Sequence, residues 1–202
     1  RIAWSLELPE WPACMAEPSI PELVCIGVVL AGGRSRRMGR DKALLQYGAS
    51  TLLQHQVSTL GQVCVRVVIS GEYAGYDCVR DIRPGLGPLS GMHAVARAFE
   101  SHALLFLPVD MPAMTVQALQ KLLVHGGPCH FDRQPLPCLF PDASALASAI
   151  EKRWDCDDLD SAVTALHRTM ASRTLEFSGT AAFENVNTLA QWQHFNSPIE
   201  TI

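Results

Sequence analysis

Five cations stand within nine residues of this 202-residue chain: Arg34, Arg36, Arg37, Arg40 and Lys42, directly after the glycine pair Gly32-Gly33. A polyphosphate needs groups in that order. Paired glycines let backbone N–H groups come close to a bulky anion, and cationic side chains just beyond neutralise it. The same charges would also suit a solvated surface loop, since Arg and Lys are mostly exposed. The second group able to do chemistry is Asp110, which ends the apolar run Ala103 to Val109. A carboxylate straight after a buried strand can hold Mg2+, whose shell takes one or two carboxylates and is completed by substrate phosphates and water. Asp110 could instead cap the following helix, although Thr115 lies nearer its start. His55, His93, His102, His125, His130, His167 and His194 are scattered, without the spacing of a catalytic triad or a metal site.

These groups need elements to carry them. Cys25, Ile26, Val28, Val29 and Leu30 form a run that reads as a strand buried on both faces. Residues 51–60 carry Leu52, Leu53, His55, Val57 and Leu60 at helical spacing. Further strands are expected over 63–70 and 78–82, the second delivering Asp81 to its carboxyl end, where ligands gather in open α/β sheets. The glycine- and proline-rich stretch Pro84 to Gly91 leads into a helix expected over 92–99, and Thr115 to His125 reads as another helix. Beyond Gly127, strands are expected over 129–131 and 136–140, joined by a polar turn over 132–135. Helices follow over 143–154 and 159–170, short extended pieces over 175–177 and 183–186, and a closing helix over 189–195. Residues 1–22, rich in Pro, Glu and Trp, read as an N-terminal extension without an assigned element.

Composition narrows the class. With 48% hydrophobic and 18% charged residues the chain is a globular domain rather than a disordered one. A net charge of −4 and a pI near 6.0 argue against a nucleic-acid or anionic-membrane binder, so the basic cluster is a local feature. The seven cysteines, Cys14, Cys25, Cys64, Cys78, Cys129, Cys138 and Cys156, show no metal-type spacing and point to a reducing compartment.

The run LAGGRSRRMGRDKALL, Leu30 to Leu45, resembles the signature of the MobA family of molybdenum cofactor guanylyltransferases. Leu30, Ala31, Gly32, Gly33, Arg37, Met38, Gly39, Asp41, Lys42, Leu44 and Leu45 fill every place of that pattern. It matches neither the Walker A motif nor the three-glycine dinucleotide fingerprint. Three further stretches resemble family elements in the right order: Gly87-Pro88-Leu89-Ser90-Gly91, Val109-Asp110-Met111-Pro112, and Phe183-Glu184-Asn185-Val186-Asn187-Thr188.

The resemblance implies a single α/β nucleotidyltransferase domain over residues 23–202, Rossmann-like, with a mostly parallel central sheet and helices on both faces. It implies transfer of GMP from GTP to the phosphate of molybdopterin, with Mg2+ and release of pyrophosphate. Arg37, Lys42 and Asp110 would be catalytic, Asp110 also holding the metal. Leu30, Ala31, Gly32, Gly33, Ser70, Asp81, Gly87, Pro88 and Gly91 would complete the nucleotide site. Asn185 and Asn187 would lie near the metal and the acceptor, or equally would pin the last strand by side-chain to backbone bonds. The expected protein is a cytoplasmic monomer that binds neither nucleic acid nor membrane and works with an accessory GTPase and apo-molybdoenzymes. Two departures stand out: Ser70 replaces the family's frequent Asn, and Asp155 to Asp160 is acidic where the family carries a Gly-x-Arg or Gly-x-Ser element. Rival readings are a cytidylyltransferase, which tends to have Ala-Ala-Gly in place of Ala31-Gly32-Gly33; a sugar-phosphate nucleotidyltransferase, which usually has Pro-Lys in place of Asp41-Lys42; and a nucleotide-binding accessory protein without catalysis.

Overall fold

A computed structural model of the chain describes residues 24–32, 41–83, 87–155 and 163–196. Strand β1 (Cys25–Leu30) is followed by a 3-10 turn at Lys42–Leu44, the small hairpin β2 (Gln46–Tyr47) and β3 (Ser50–Thr51), and helix α1 (Leu52–Gly61). Next come β4 (Arg66–Ser70), β5 (Cys78–Val79), α2 (Pro88–Ala98), β6 (Ala103–Pro108) and α3 (Val116–His125). The last part holds β7 (Cys129–Phe131), β8 (Gln134–Phe140), α4 (Ala143–Asp155), α5 (Val163–Thr169), β9 (Arg173–Leu175) and α6 (Leu189–Asn196).

Seven strands form one sheet in the order β5-β4-β1-β6-β8-β7-β9. The first four run parallel, β8 is antiparallel to both β6 and β7, and β9 is parallel to β7. Side chains alternate across a strand, so β1 feeds two cores. Ile26 and Val28 pack with Leu104, Phe106 and Phe140 under α2, α4 and α5. Cys25 and Val29 pack with Leu105 and Leu107 under α1 and α3. The expected mostly parallel sheet with helices on both faces is the architecture found.

Local chemistry sets the helix starts. Thr51 and Gln54 exchange backbone-to-side-chain bonds in a capping box that opens α1. Thr115 accepts from the Ala118 N–H at 3.2 Å and caps α3, as its position suggested. Helix α2 begins at Pro88, four residues ahead of the expected Met92, because Gly87 supplies a positive φ of 68° and proline suits the first helical position.

Several expected boundaries need correction. The strand expected over 63–70 starts only at Arg66, since the Val63 and Cys64 amides bond to Leu60 O at 3.0 and 2.9 Å and close the end of α1. The strand expected over 78–82 is two residues long, so Asp81 lies beyond it in a loop. The turn between β7 and β8 is shorter than expected, because Arg133 takes a φ of 55° and β8 begins at Gln134. The late strand lies at Arg173–Leu175 instead of 175–177, and Phe183 ends a 3-10 turn, Thr180–Phe183, instead of starting an extended piece. The early part of the helix expected over 159–170 lies outside the described residues, as does the extension over 1–22.

One buried histidine ties the second core to the sheet edge. His167 stacks on Phe140 with centroids 5.5 Å apart and on His130 at 4.0 Å. Its Nε2–H donates to Pro135 O at 2.8 Å, which leaves Nδ1 bare and buried without a partner. Burial pushes its pKa down to about 4, against the opposing pull of the Pro135 carbonyl, and the nearby His130 adds to the drop. An unfolded imidazole titrates near 6.5, so between the two values the unfolded chain takes up a proton that the folded chain refuses. The stabilisation is complete above that window and is lost as pH falls through it. Urea unfolding should show the wild type losing about 2 kcal/mol more than His167→Asn between about pH 7 and about pH 4.5.

Candidate active site

Strands β4, β1 and β6 end level with one another: Leu30 is in register with Ser70 on one side and Pro108 on the other. Backbone bonds continue just past those ends, from Ala31 N to Ser70 O and from Val109 N to Leu30 O, each 3.1 Å. Residues that follow three different strands therefore meet at one edge of the sheet. A cleft of about 610 Å³ opens there.

The cationic end of the cleft is formed by Lys42 and Asp110. Lys42 leaves the turn after β1, whose start is fixed by the Ala43 N–H donating to Asp41 Oδ1 at 3.0 Å. Its Nζ donates to Asp110 Oδ2 at 3.2 Å and to Asn187 Oδ1 at 2.7 Å. The two charged side chains are 17% and 24% exposed, buried enough to escape most of the screening a surface pair suffers. Asp110 is braced from behind. Its carbonyl accepts from Val186 N–H at 2.9 Å, and Gln56 of α1 donates to Met111 O at 2.6 Å. His55 reaches Pro112 O at 3.1 Å, and Gln191 Oε1 accepts from the Asn187 and Thr188 amides at 2.8 and 3.0 Å.

At the other end the carboxylate of Asp81 faces a glycine-lined surface. A Cβ on Gly91 would overlap Ser70 Oγ and come within 3.2 Å of Asp81 Oδ1, and one on Gly32 would lie 3.8 Å from both Asp81 oxygens. Asp81 Oδ1 is buried and has no hydrogen-bond partner. Burial pushes the Asp81 pKa up, and the adjacent Ser70 and Ser90 hydroxyls oppose the rise. Ser90 Oγ itself donates to Arg83 O.

Leu30, Ala31, Gly32, Lys42, Ser70, Asp81, Gly87, Pro88, Gly91, Asp110 and Asn185, each singled out from the sequence, line this one cleft. Asn187 joins it through Lys42. Gly33 and Arg37 lie outside the described residues. Sequence reasoning missed most of the third wall, where Pro108, Gln134, Pro135 and Leu136 join Val109 and Met111 of the quoted Val109–Pro112 element. Nothing in its composition marks it, since Gln134 to Leu136 enter only because β8 starts beside the end of β6. Two histidines hold that wall from behind, His167 on Pro135 O and His130 on Gln134 O at 3.2 Å. Asp41, quoted for its place in the motif, also lines the cleft.

Among the described residues no three His, Cys, Asp or Glu side chains are grouped to hold a metal by themselves. Asp110 and Asn185 line the same cleft and bring one carboxylate and one neutral amide oxygen to it. That set fits a cation whose remaining ligands are phosphate oxygens and water, as Mg2+ prefers. No helix among the described residues is long and apolar enough to cross a membrane.

Comparison with known proteins places this geometry. Residues 27–170 match the model of the MobA-like NTP transferase domain. The molybdenum cofactor guanylyltransferase of Xanthomonas euvesicatoria is 39% identical over 172 residues, 82% of this chain and 91% of the relative. That of Rhizobium johnstonii is 40% identical over 104 residues, half of this chain and 46% of the relative. Among solved structures, molybdopterin-guanine dinucleotide biosynthesis protein A from Archaeoglobus fulgidus superposes with a TM-score of 0.68 at 17% identity, covering 85% of this chain and 96% of that one. The 2-C-methyl-D-erythritol 4-phosphate cytidylyltransferase of Thermus thermophilus gives 0.55 at 15% identity over 79% of this chain and 91% of that one, so the fold by itself does not choose the base. The chain belongs to the MobA-like NTP transferase family.

Proposed function

We propose that this protein transfers GMP from GTP to the terminal phosphate of molybdopterin and releases pyrophosphate. The observation that carries the reading is the meeting of Lys42 and Asp110, 3.2 Å apart, at the sheet edge where the backbone of Ala31 and Gly32 opens into the cleft. The 39% identity to a molybdenum cofactor guanylyltransferase supports the donor and the acceptor.

The reaction joins two anions, so the protein mainly has to hold them in line and offset their charge. A phosphate oxygen of the acceptor, already ionised near neutral pH, attacks the α-phosphorus of GTP. The bond to the β-phosphate oxygen breaks, and pyrophosphate carries that electron pair away. No protein nucleophile or strong base is required. Lys42 turns from Asp110 towards the triphosphate as it binds, and the Gly32 amide, the first beyond the Ala31 N–H that is held by Ser70 O, donates to a phosphate oxygen. Asp110 is the residue that would hold Mg2+, which would supply further neutralisation of the charge that builds up on the α-phosphate and the leaving group. Arg37, from the basic stretch, is assigned to the same task.

Asp81 supports guanine as the base. Its carboxylate lines the cleft, and the two oxygens of a carboxylate can accept from the N1–H and exocyclic amine of guanine, two donors side by side. Ser70, Gly87, Pro88 and Gly91 complete that end by letting a flat ring lie close to the backbone. The third wall, with Asn185, is assigned to the acceptor, and Asn187 acts through Lys42.

Three measurements test this. Incubation with molybdopterin and labelled GTP should yield the dinucleotide and pyrophosphate, and Asp110→Asn should lower kcat by about 10²–10³ with the thermal midpoint kept. Lys42→Ala should weaken GTP binding by at least about tenfold, the scale of a hydrogen bond to a charged group. In thermal-shift titrations GTP should stabilise the wild type well beyond CTP, ATP or UTP. Asp81→Asn should remove that preference, by about tenfold in GTP affinity, while leaving inorganic tripolyphosphate binding unchanged. Preference for CTP would mark a cytidylyltransferase instead.

A further inference from the structure

Tyr73, in the loop between β4 and β5, belongs to none of the motifs above, yet its hydroxyl reaches both flanks of the basic stretch. Its Oη lies 3.2 Å from Ala31 O, just after β1, and 3.2 and 3.0 Å from Asp41 Oδ1 and Oδ2. Ala31 and Asp41 stand ten residues apart in sequence. Asp41 Oδ1 in turn accepts from the Ala43 N–H. The residues on either side of Lys42 are thus linked to the end of β1 through one phenol.

We propose that Tyr73 is a positioning residue for Lys42, its hydroxyl clasping Asp41 against the end of β1 so that the lysine is presented to the triphosphate. The inference rests on the reading of Lys42 as a phosphate ligand.

The clasp is held from its own side. Gly71 has a φ of 150°, and a Cβ there would come within 3.0 Å of Tyr73 Cε2, so glycine lets the ring lie flat on the backbone beside Ala31. The Tyr73 N–H meets Cys78 Sγ at 3.3 Å, and Tyr73 O accepts from Tyr76 N–H at 3.4 Å, which ties the loop to β5. Three acceptors compete for one hydroxyl proton. Burial first, and the Asp41 carboxylate next, raise the pKa of the phenol, so it stays a donor across the physiological range. The arrangement also accounts for a carboxylate in an anion-binding cleft. Asp41 would repel phosphate if its charge were free, but it accepts from Tyr73 and from the Ala43 amide, and hydrogen bonds to a charged acceptor are the strong ones. Phenylalanine at position 73 would keep the packing and lose only the clasp.

The test uses Tyr73→Phe, Lys42→Ala and the double variant of the full chain. Amide exchange followed by NMR in the unliganded protein should speed up at Ala43 by at least about fivefold in Tyr73→Phe, with β1 and β6 unchanged. GTP affinity should fall about tenfold in Tyr73→Phe, and the same change made on Lys42→Ala should shift affinity by less than about twofold. A merely structural tyrosine would cost the same in both backgrounds. Unchanged exchange at Ala43, or an equal loss with and without Lys42, overturns the proposal. Inorganic tripolyphosphate, measured alongside, separates the two readings. If wild type binds it but does not prefer GTP, the guanylyl assignment falls and the Tyr73 effect, read on tripolyphosphate, still decides the clasp. If wild type binds neither, both fall.

Discussion

The register of three parallel strands governs the site. Leu30 lies level with Ser70 and Pro108, so the chain leaves β1, β4 and β6 at one height and must turn into the same volume. Parallel strands connected by helices repeat their direction, which places every carboxyl end on one edge, and a crevice forms where successive crossovers go to opposite sides. Here the chain goes from β1 to β4 on one side and later to β6 on the other. Glycines, lysine and aspartate, far apart in sequence, meet for that reason. A slip of one residue between β1 and β6 would turn Phe106 and Leu107 to opposite cores and carry Asp110 away from Lys42.

Charge inside the cleft is arranged in opposed pairs. Asp110 is matched by Lys42, and Asp41 by the Tyr73 hydroxyl and the Ala43 amide. Among the described carboxylates of the cleft, Asp81 alone keeps an oxygen buried without a hydrogen-bond partner, and burial raises its pKa. The cleft thus has one end where a lysine meets a carboxylate and another where the Asp81 carboxylate lies against the Ser70 and Ser90 hydroxyls.

Much of this was legible in the sequence because the parallel half of the fold has strong local signals. The apolar runs of β1 and β6 each give way to a residue of different chemistry, Gly32 in one case and Asp110 in the other. The C-terminal half was read less well. β7 lies where it was expected, but β8 carries two prolines and starts two residues early, and β9 has only three residues, so neither period nor length places those ends. Val63 and Cys64 are as apolar as a strand requires, but their amides close α1, a tertiary choice that composition does not carry. Tyr73 left no trace in the sequence, since a single tyrosine in a polar loop has no pattern, and only the return of that loop towards Ala31 gives it a role. Gln134 to Leu136 were hidden for a related reason: an ordinary strand start becomes a wall when it lies beside the end of another strand.

That last placement separates the two ends of the cleft. β6 has a parallel neighbour in β1 and an antiparallel neighbour in β8. On the β1 side the edge receives strand ends and the loops after them, where glycine, lysine and aspartate can be set by turn chemistry. On the β8 side it receives a strand beginning, whose backbone is already committed to pairing, so its shape is adjusted from behind by what holds its carbonyls. His130 and His167 do so here, and both lie outside the cleft. The nucleotide end and the opposite wall are therefore built by different parts of the chain through different kinds of contact. Changes behind β8 can reshape one without disturbing the strand register on which the other depends.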